Sequence, residues 1–112
     1  MTRHNLKNFF EPRSAAIIGA SATPGKLGYI AVSNLLNIGY EGKIYPVNPK
    51  GGEMLGLKIF KNVKDIPEIV DVALVLIPAA YVVDVMNDLA EKGVKHVVIS
   101  SGGFSEVDEK GT

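Results

Sequence analysis

The run Asp71-Val72-Ala73-Leu74-Val75-Leu76-Ile77 limits the folds open to this chain more than any other stretch. Its apolar residues are consecutive, so the run has no polar side for a half-exposed strand. It is also far shorter than the roughly 20 residues a membrane helix needs. A strand of this kind is covered on both faces, as in a parallel sheet with helices above and below. Residues 14–19 have the same character, small and β-branched on both faces.

Between and after these runs the pattern changes to a helical period. Leu27, Ile30, Ala31, Leu35 and Ile38 recur at helical spacing and Gly39 stands where a helix ends, which predicts a helix of about three turns. Residues 42–47 read as a second strand, stopped by the turn formers Asn48-Pro49-Lys50-Gly51-Gly52. Residues 57–60 read as a short third strand, and residues 63–66 as one helical turn before Pro67. After the 71–77 run, Pro78 sits at a helix start, where its missing N–H costs little, and Gly93 closes the helix. The spacing puts Ala79, Val82, Val83, Met86, Leu89 and Ala90 on the apolar face of that helix, with Asp84, Asp88 and Glu91 turned outward. Residues 94–99 form the last strand, followed by a Gly-rich turn, Ser100 to Phe104. Ser105 and Asp108 have the spacing of a capping box.

Strands alternating with helices predict an α/β fold with a parallel sheet and right-handed crossovers. The loops at residues 19–28, 48–52, 78–81 and 100–105 all follow carboxyl ends of strands. One edge of the sheet therefore collects them, and one ligand can touch all four.

Composition excludes several classes of function. Lys and Arg together number 12, as do Asp and Glu, so there is no general attraction to nucleic acid or anionic lipid; neither partner is expected, and a bound anion must be held by local geometry. The absence of cysteine removes disulfides, thiolate nucleophiles and thiolate metal ligands together. No Asp/Glu/His cluster has metal-ligand spacing, so no metal is expected. His4 and His96 are isolated, and Ser33, Ser100 and Ser101 read as turn or helix-face hydroxyls, so no catalytic residue is assigned. Residues 1–7 lack the apolar core of a secretory signal, and a cytoplasmic location is expected. Residues 1–13 read as a polar N-terminal arm anchored by Phe9 and Phe10, and residues 14–112 as one domain.

The loop Gly19-Ala-Ser-Ala-Thr-Pro-Gly25-Lys-Leu-Gly28 lies where the first strand hands over to a helix, the place where such sheets bind phosphates. It is not a P-loop, because five residues separate Gly19 from Gly25-Lys26 and Leu27 offers no hydroxyl for magnesium. A dinucleotide fingerprint would need glycine at Ser21, and only its tail, Gly25 to Gly28, conforms. The second strand ends in Val47-Asn48-Pro49-Lys50, without the carboxylate that holds an NAD ribose. Lys50 suits a phosphorylated ribose, as in NADP or in coenzyme A with its 3′-phosphate, or it is a solvated turn residue.

Several blocks in fixed order carry a more specific signal: residues 10–21 (FEPRSAAIIGAS), 24–28 (PGKLG), 42–50 (GKIYPVNPK), 65–68 (DIPE), 77–79 (IPA), 93–95 (GVK) and 101–106 (SGGFSE). In these blocks, from about Phe10 to Glu106, the sequence resembles the N-terminal CoA-binding domain of the NDP-forming acyl-CoA synthetases. That family includes the ADP-forming acetyl-CoA synthetases and is related to the succinyl-CoA synthetase α subunit. The resemblance implies a Rossmann-like parallel sheet with helices on both faces, truncated after the strand ending near Ile99 and incomplete at its C-terminus.

By the same resemblance the CoA-binding residues are Gly19, Ser21, Ala22, Thr23, Pro24, Gly25 and Lys26 at the nucleotide and pyrophosphate. Asn48 and Lys50 are placed at a CoA phosphate, Pro78 and Ala79 against the adenine or pantetheine, and Ser100, Ser101 and Gly102 on the opposite wall. Neither histidine matches the family's catalytic histidine. The implied function is a CoA-binding domain, not catalytic alone, that holds CoA for thioester exchange with an acyl phosphate coupled to ATP formation. Further domains or a partner subunit would supply the ligase chemistry. The alternatives are a stand-alone CoA-binding regulatory module, an NADP-binding oxidoreductase fragment and a structural role. An uncovered apolar edge also predicts self-association or marginal stability.

Overall fold

All five residues of strand β1 (Ser14–Ile18) are buried, as its small and β-branched sequence requires of an inner strand. Ser14 fits there because its hydroxyl is fully used: Oγ donates to the Ile69 carbonyl at 2.8 Å and accepts from the Asp71 N–H at 3.0 Å. The computed structural model describes residues 13–100. The other strands are β2 (Lys43–Val47), β3 (Glu53–Met54), β4 (Leu57–Lys58), β5 (Val72–Val75) and β6 (His96–Ile99); the helices are α1 (Leu27–Asn37) and α2 (Val82–Lys92). The N-terminal arm with Phe9 and Phe10, and the stretch holding Ser105 and Asp108, lie outside the described residues.

Four strands form one parallel sheet in the order β2-β1-β5-β6. Ile18 lies opposite Val47 on one side and Val75 on the other. The chain goes outward from β1 to β2, then returns to lay β5 on the opposite side of β1. Strand order therefore reverses between β1 and β5, which opens a crevice at their carboxyl ends.

Alternation along each strand divides the core between the two faces. Ala16, Ile18, Ala73 and Val75 face Val63, Ile66, Val70 and Leu89, with Val85 packed beside them, so this is the side covered by α2. Ile17 and Ile44 face Val32, Met54 and Ile59, on the side covered by α1 and the β3–β4 hairpin. The fold is thus an α/β, Rossmann-like sheet with a helix on each face, as expected.

Three local expectations need correction. Residues 57–60 do not add a strand to the parallel sheet: β4 pairs antiparallel with β3, and only Phe60 makes a parallel bridge, to Val47 at the edge of β2. The hairpin forms because Leu55 (φ 49°) and Gly56 (φ 80°) make a two-residue turn with both central residues left-handed, the geometry that matches strand twist. Helix α2 buries only part of the face its spacing suggested. Leu89 is 1% exposed and Val85 packs on the core, but Val83 is 69% exposed and Met86 also faces outward. In α1 the buried stripe is Gly28 and Val32, with Ala31 and Leu35 beside it, while Leu27, Ile30 and Ile38 are exposed.

Gly28 explains how closely α1 lies on the sheet. A Cβ at this position would come within 2.1 Å of the Gly19 carbonyl oxygen, so only glycine lets the helix start sit against the loop that leaves β1.

Candidate functional site

The loop after β1 begins with a residue that has no room for a side chain. Gly19 has φ +97°, and a Cβ there would come 2.5 Å from the Leu76 carbonyl oxygen where the chain leaves β5. Its N–H and that of Ala20 both donate to the Val47 carbonyl, at 3.0 and 3.2 Å, which ties the root of the loop to the end of β2. Farther out, Thr23-Pro24-Gly25-Lys26 closes on a hydrogen bond from Lys26 N–H to the Thr23 carbonyl at 3.2 Å. Proline second and a left-handed glycine third (φ +94°) mark a type II turn. The Ser21 hydroxyl accepts from the Thr23 N–H at 3.0 Å and stiffens the approach.

The turn delivers the chain into α1. The residue before that helix, Lys26, makes no side-chain cap, and the first turn contains no acidic residue. The helix start therefore presents backbone donors and a partial positive charge with no carboxylate competing for them. The segment 22–26 is exposed throughout, open to an anion from solvent.

Beside this loop a cavity of about 360 Å³ opens at the point where strand order reverses, within the range of about 300–1,000 Å³ usual for small-molecule sites. Its walls are mainly apolar: Ile18, Val47, Val63, Ile77 and Val85, with Pro49, Pro78 and Tyr81. Asn48, Lys61, Asn62, Asp84 and Asp88 supply the polar atoms. Asn62 and Asp88 belong to a network that docks the short 3₁₀ turn Val63–Asp65 onto α2. Asn62 Nδ2 donates to Asp88 Oδ2 at 3.2 Å, and Lys64 Nζ lies 2.9 Å from Glu91 Oε1 and 3.4 Å from Asp88 Oδ1. The hydrogen bond to Glu91 is the main reason the Lys64 ammonium is held above its ordinary pKa.

Three of the four loops expected at one edge do meet there. Gly19, Asn48 and Pro78 line the cavity together. Ser21, half-buried, and the exposed Ala22, Thr23, Pro24, Gly25 and Lys26 run from it as the turn, Lys50 is exposed on the neighbouring loop, and Ala79 is exposed at the start of the 3₁₀ turn Ala79–Tyr81. Ser100 is half-buried and prolongs the sheet, its N–H donating to the Val75 carbonyl at 3.0 Å. Ser101 and Gly102 lie outside the described residues.

Sequence reasoning missed the far wall. Asp84 and Asp88 stand one turn apart on α2, with Val85 beside Asp84, and line the cavity; Asp84 is exposed, as expected of a solvent-facing residue, whereas Asp88 is half-buried. The signal was present in the i, i+4 spacing of two carboxylates around Val85, but it reads equally well as a solvated face. Among the described residues no group of His, Cys, Asp and Glu is arranged to hold a metal, and no helix is long and apolar enough to cross a membrane.

Comparison with known proteins places this architecture. The chain is 50% identical to the alpha subunit of acetate-CoA ligase (ADP-forming) I from Pyrococcus furiosus, the similarity covering 96% of this chain and 24% of that subunit. Among solved structures, a dinucleotide forming acetyl-coenzyme A synthetase 1 from Ca. Korarchaeum cryptofilum superposes with TM-score 0.81 at 39% identity, over 94% of this chain and 24% of that one. A conserved hypothetical protein from Pyrococcus furiosus superposes with TM-score 0.74 at 34% identity, and there the likeness covers 83% of the other chain. The chain thus spans about a quarter of the length of its synthetase relative. The sequence matches the family described as the CoA binding domain over residues 13–110. Because that match takes in every described strand and both helices, the chain belongs to the CoA binding domain family.

Proposed function

We propose that this chain is the CoA-holding part of an ADP-forming acyl-CoA synthetase of the cytoplasm, which presents the CoA thiol to an acyl phosphate while other domains or a partner subunit carry out acyl transfer and ATP formation. The observation that carries this reading is the meeting of the glycine loop and the Lys50 loop beside one apolar cavity, the first hydrogen-bonded to Val47 and the second continuing from it. The two halves of the site suit opposite chemistries. Asp84 and Asp88 make the cavity unfavourable for phosphate and favourable for donors such as the exocyclic amine of adenine, while its prolines and aliphatic residues suit a flat apolar ring. The phosphates then lie outside it, on the backbone donors of residues 19–26 and the start of α1, with Lys50 at the 3′-phosphate and Lys26 as a second cation. Ala79 and Ser100 complete the walls on the pantetheine side, and Ser101 and Gly102 are assigned to CoA binding by the resemblance alone.

Isothermal titration of the chain with CoA, dephospho-CoA, NADP and NAD tests the reading. CoA should bind more tightly than dephospho-CoA, and Lys50→Ala should remove most of that preference, a loss of about tenfold for one charge-assisted contact. Tighter binding of NADP or NAD would overturn the assignment in favour of an oxidoreductase fragment.

A second reading is a stand-alone CoA-binding module that regulates; what favours it over a synthetase part is only that a similar fold makes up most of one short solved chain, a conserved hypothetical protein from Pyrococcus furiosus. Adenosine 3′,5′-bisphosphate separates the two. It should bind as tightly as CoA if the thiol arm reaches out towards another domain, and more weakly if the whole of CoA is held here.

A further inference from the structure

We infer that Asn48 acts as the positioning residue that couples the glycine loop to the lysine loop. The inference rests on the CoA reading proposed above and adds to it a division of labour within the site. Asn48 follows directly on β2, and each end of its side-chain amide makes a hydrogen bond. Nδ2 donates to the Ala20 carbonyl at 2.7 Å, across to the loop after β1, and Oδ1 accepts from the Lys50 N–H at 2.8 Å, within its own loop. The two partners fix the orientation of the amide, since turning it over would set donor against donor and acceptor against acceptor. Its main chain is committed as well, N–H to the Phe60 carbonyl and carbonyl to the Gly51 N–H, each at 2.9 Å.

No other residue type does both jobs at this length. Aspartate keeps the acceptor for Lys50 but turns a carboxylate towards the Ala20 carbonyl oxygen. Alanine loses both bonds. The two backbone bonds from Gly19 and Ala20 to Val47 dock only the root of the glycine loop. The Asn48 amide is the side-chain contact that makes the position of this loop depend on that of the Lys50 loop. Phosphate donors on one and the ammonium on the other then keep a fixed separation, which a ligand carrying two phosphate groups requires.

Two variants separate the bonds. The full chain and its Asn48→Asp and Asn48→Ala forms are titrated with CoA and dephospho-CoA, after thermal melting and amide spectra have established that each is folded. Asn48→Asp should weaken dephospho-CoA by about tenfold, because the glycine loop is freed while the Lys50 turn is kept, and CoA by more, because the new carboxylate also opposes the 3′-phosphate. Asn48→Ala should weaken both and also bring the CoA-to-dephospho-CoA ratio towards one, and in a Lys50→Ala background it should leave that ratio unchanged. In the free variants the amide resonances of residues 20–26 should move. Wild-type affinity and ratio in Asn48→Ala would overturn the inference. So would weakened binding with those free-state resonances unmoved, since that result marks direct contact with the ligand. A wild-type chain that binds neither ligand overturns the functional reading, and the inference with it.

Discussion

Gly28 is the residue on which the approach of helix to sheet depends most directly. Its contact is with backbone, 2.1 Å from a built Cβ to the Gly19 carbonyl oxygen, so no side chain can swing aside to make room. Gly28→Ala must therefore push the start of α1 off the sheet. The expected cost is that of overpacking, about 1–3 kcal/mol, seen as a lower melting temperature. The same shift displaces the loop whose backbone faces the proposed phosphates, so CoA binding should weaken beyond what the loss of stability explains. By contrast Lys26, exposed and without a cap bond, should tolerate alanine with no change in melting and a change only in ligand affinity.

At the scale of elements, α2 is held by one side and tests which side that is. Leu89 is its one fully buried residue, so Leu89→Ala should cost about 2–5 kcal/mol by leaving a cavity in the core. Val83→Ala, on a face that is 69% exposed, should leave the denaturant midpoint almost unmoved. The reverse result would contradict the burial of Leu89 and the exposure of Val83. Strand β2 is tied on its outer side to the segment before β5. The Tyr45 hydroxyl donates to Glu68, and Lys43 Nζ lies 3.2 Å from Glu68 Oε1. The hydrogen bonds from Tyr45 and Lys43 hold the Glu68 carboxyl below its ordinary pKa. Burial, then the bond to Glu68, push the Tyr45 phenol up to about 12. A lowered carboxylate stabilises the fold above its ordinary pKa, and the effect is lost as pH falls through the folded value; a raised phenol stabilises below pH 10 and is lost as pH rises through about 12. The melting temperature should therefore fall on acidification through the carboxylate range, by less in Glu68→Gln, and phenolate absorbance should report Tyr45 titrating late, with Tyr40 also shifted upward by burial. Glu68 is exposed, so the acid effect is small and should shrink further in salt.

At the scale of the whole molecule, the described surface exposes apolar residues on α2 (Val83, Met86), at Leu55, Ile69 and Tyr81, and in two further places that bear on association. The outer face of α1 exposes Leu27, Ile30, Leu36 and, at 76%, Ile38, and the edge strand β6 exposes Val98 and Ile99. No charged residue occurs between Leu27 and Gly39, so nothing on that helix opposes contact with another apolar surface. We expect the isolated chain to self-associate. Size-exclusion chromatography should show a concentration-dependent shift that Ile38→Lys reduces, and a monomer at all concentrations would remove the expectation.

Much of this architecture is legible without coordinates because it is fixed by short-range physics. Consecutive apolar residues dictate strands covered on both faces, Pro24 and Gly25 dictate their turn, and Gly39 and Gly93 end the helices; each effect acts over a few residues. The placing of glycine loop and lysine loop on one edge follows from strand direction alone, and the family resemblance was carried by blocks that can be read in order. Only the tertiary structure decided which face of α2 is buried, that β4 turns back on β3, and that Asp84 and Asp88 stand in the wall of the cavity. The physical reason is the range of the contacts involved. Helical periodicity leaves several apolar stripes open, and the choice among them is made by Val63, Ile66 and Val70, which fill the space between α2 and the sheet from a distant part of the chain. The double commitment of Asn48 belongs to the same class, since its partner Ala20 is 28 residues away and meets it only when β1 and β2 lie side by side.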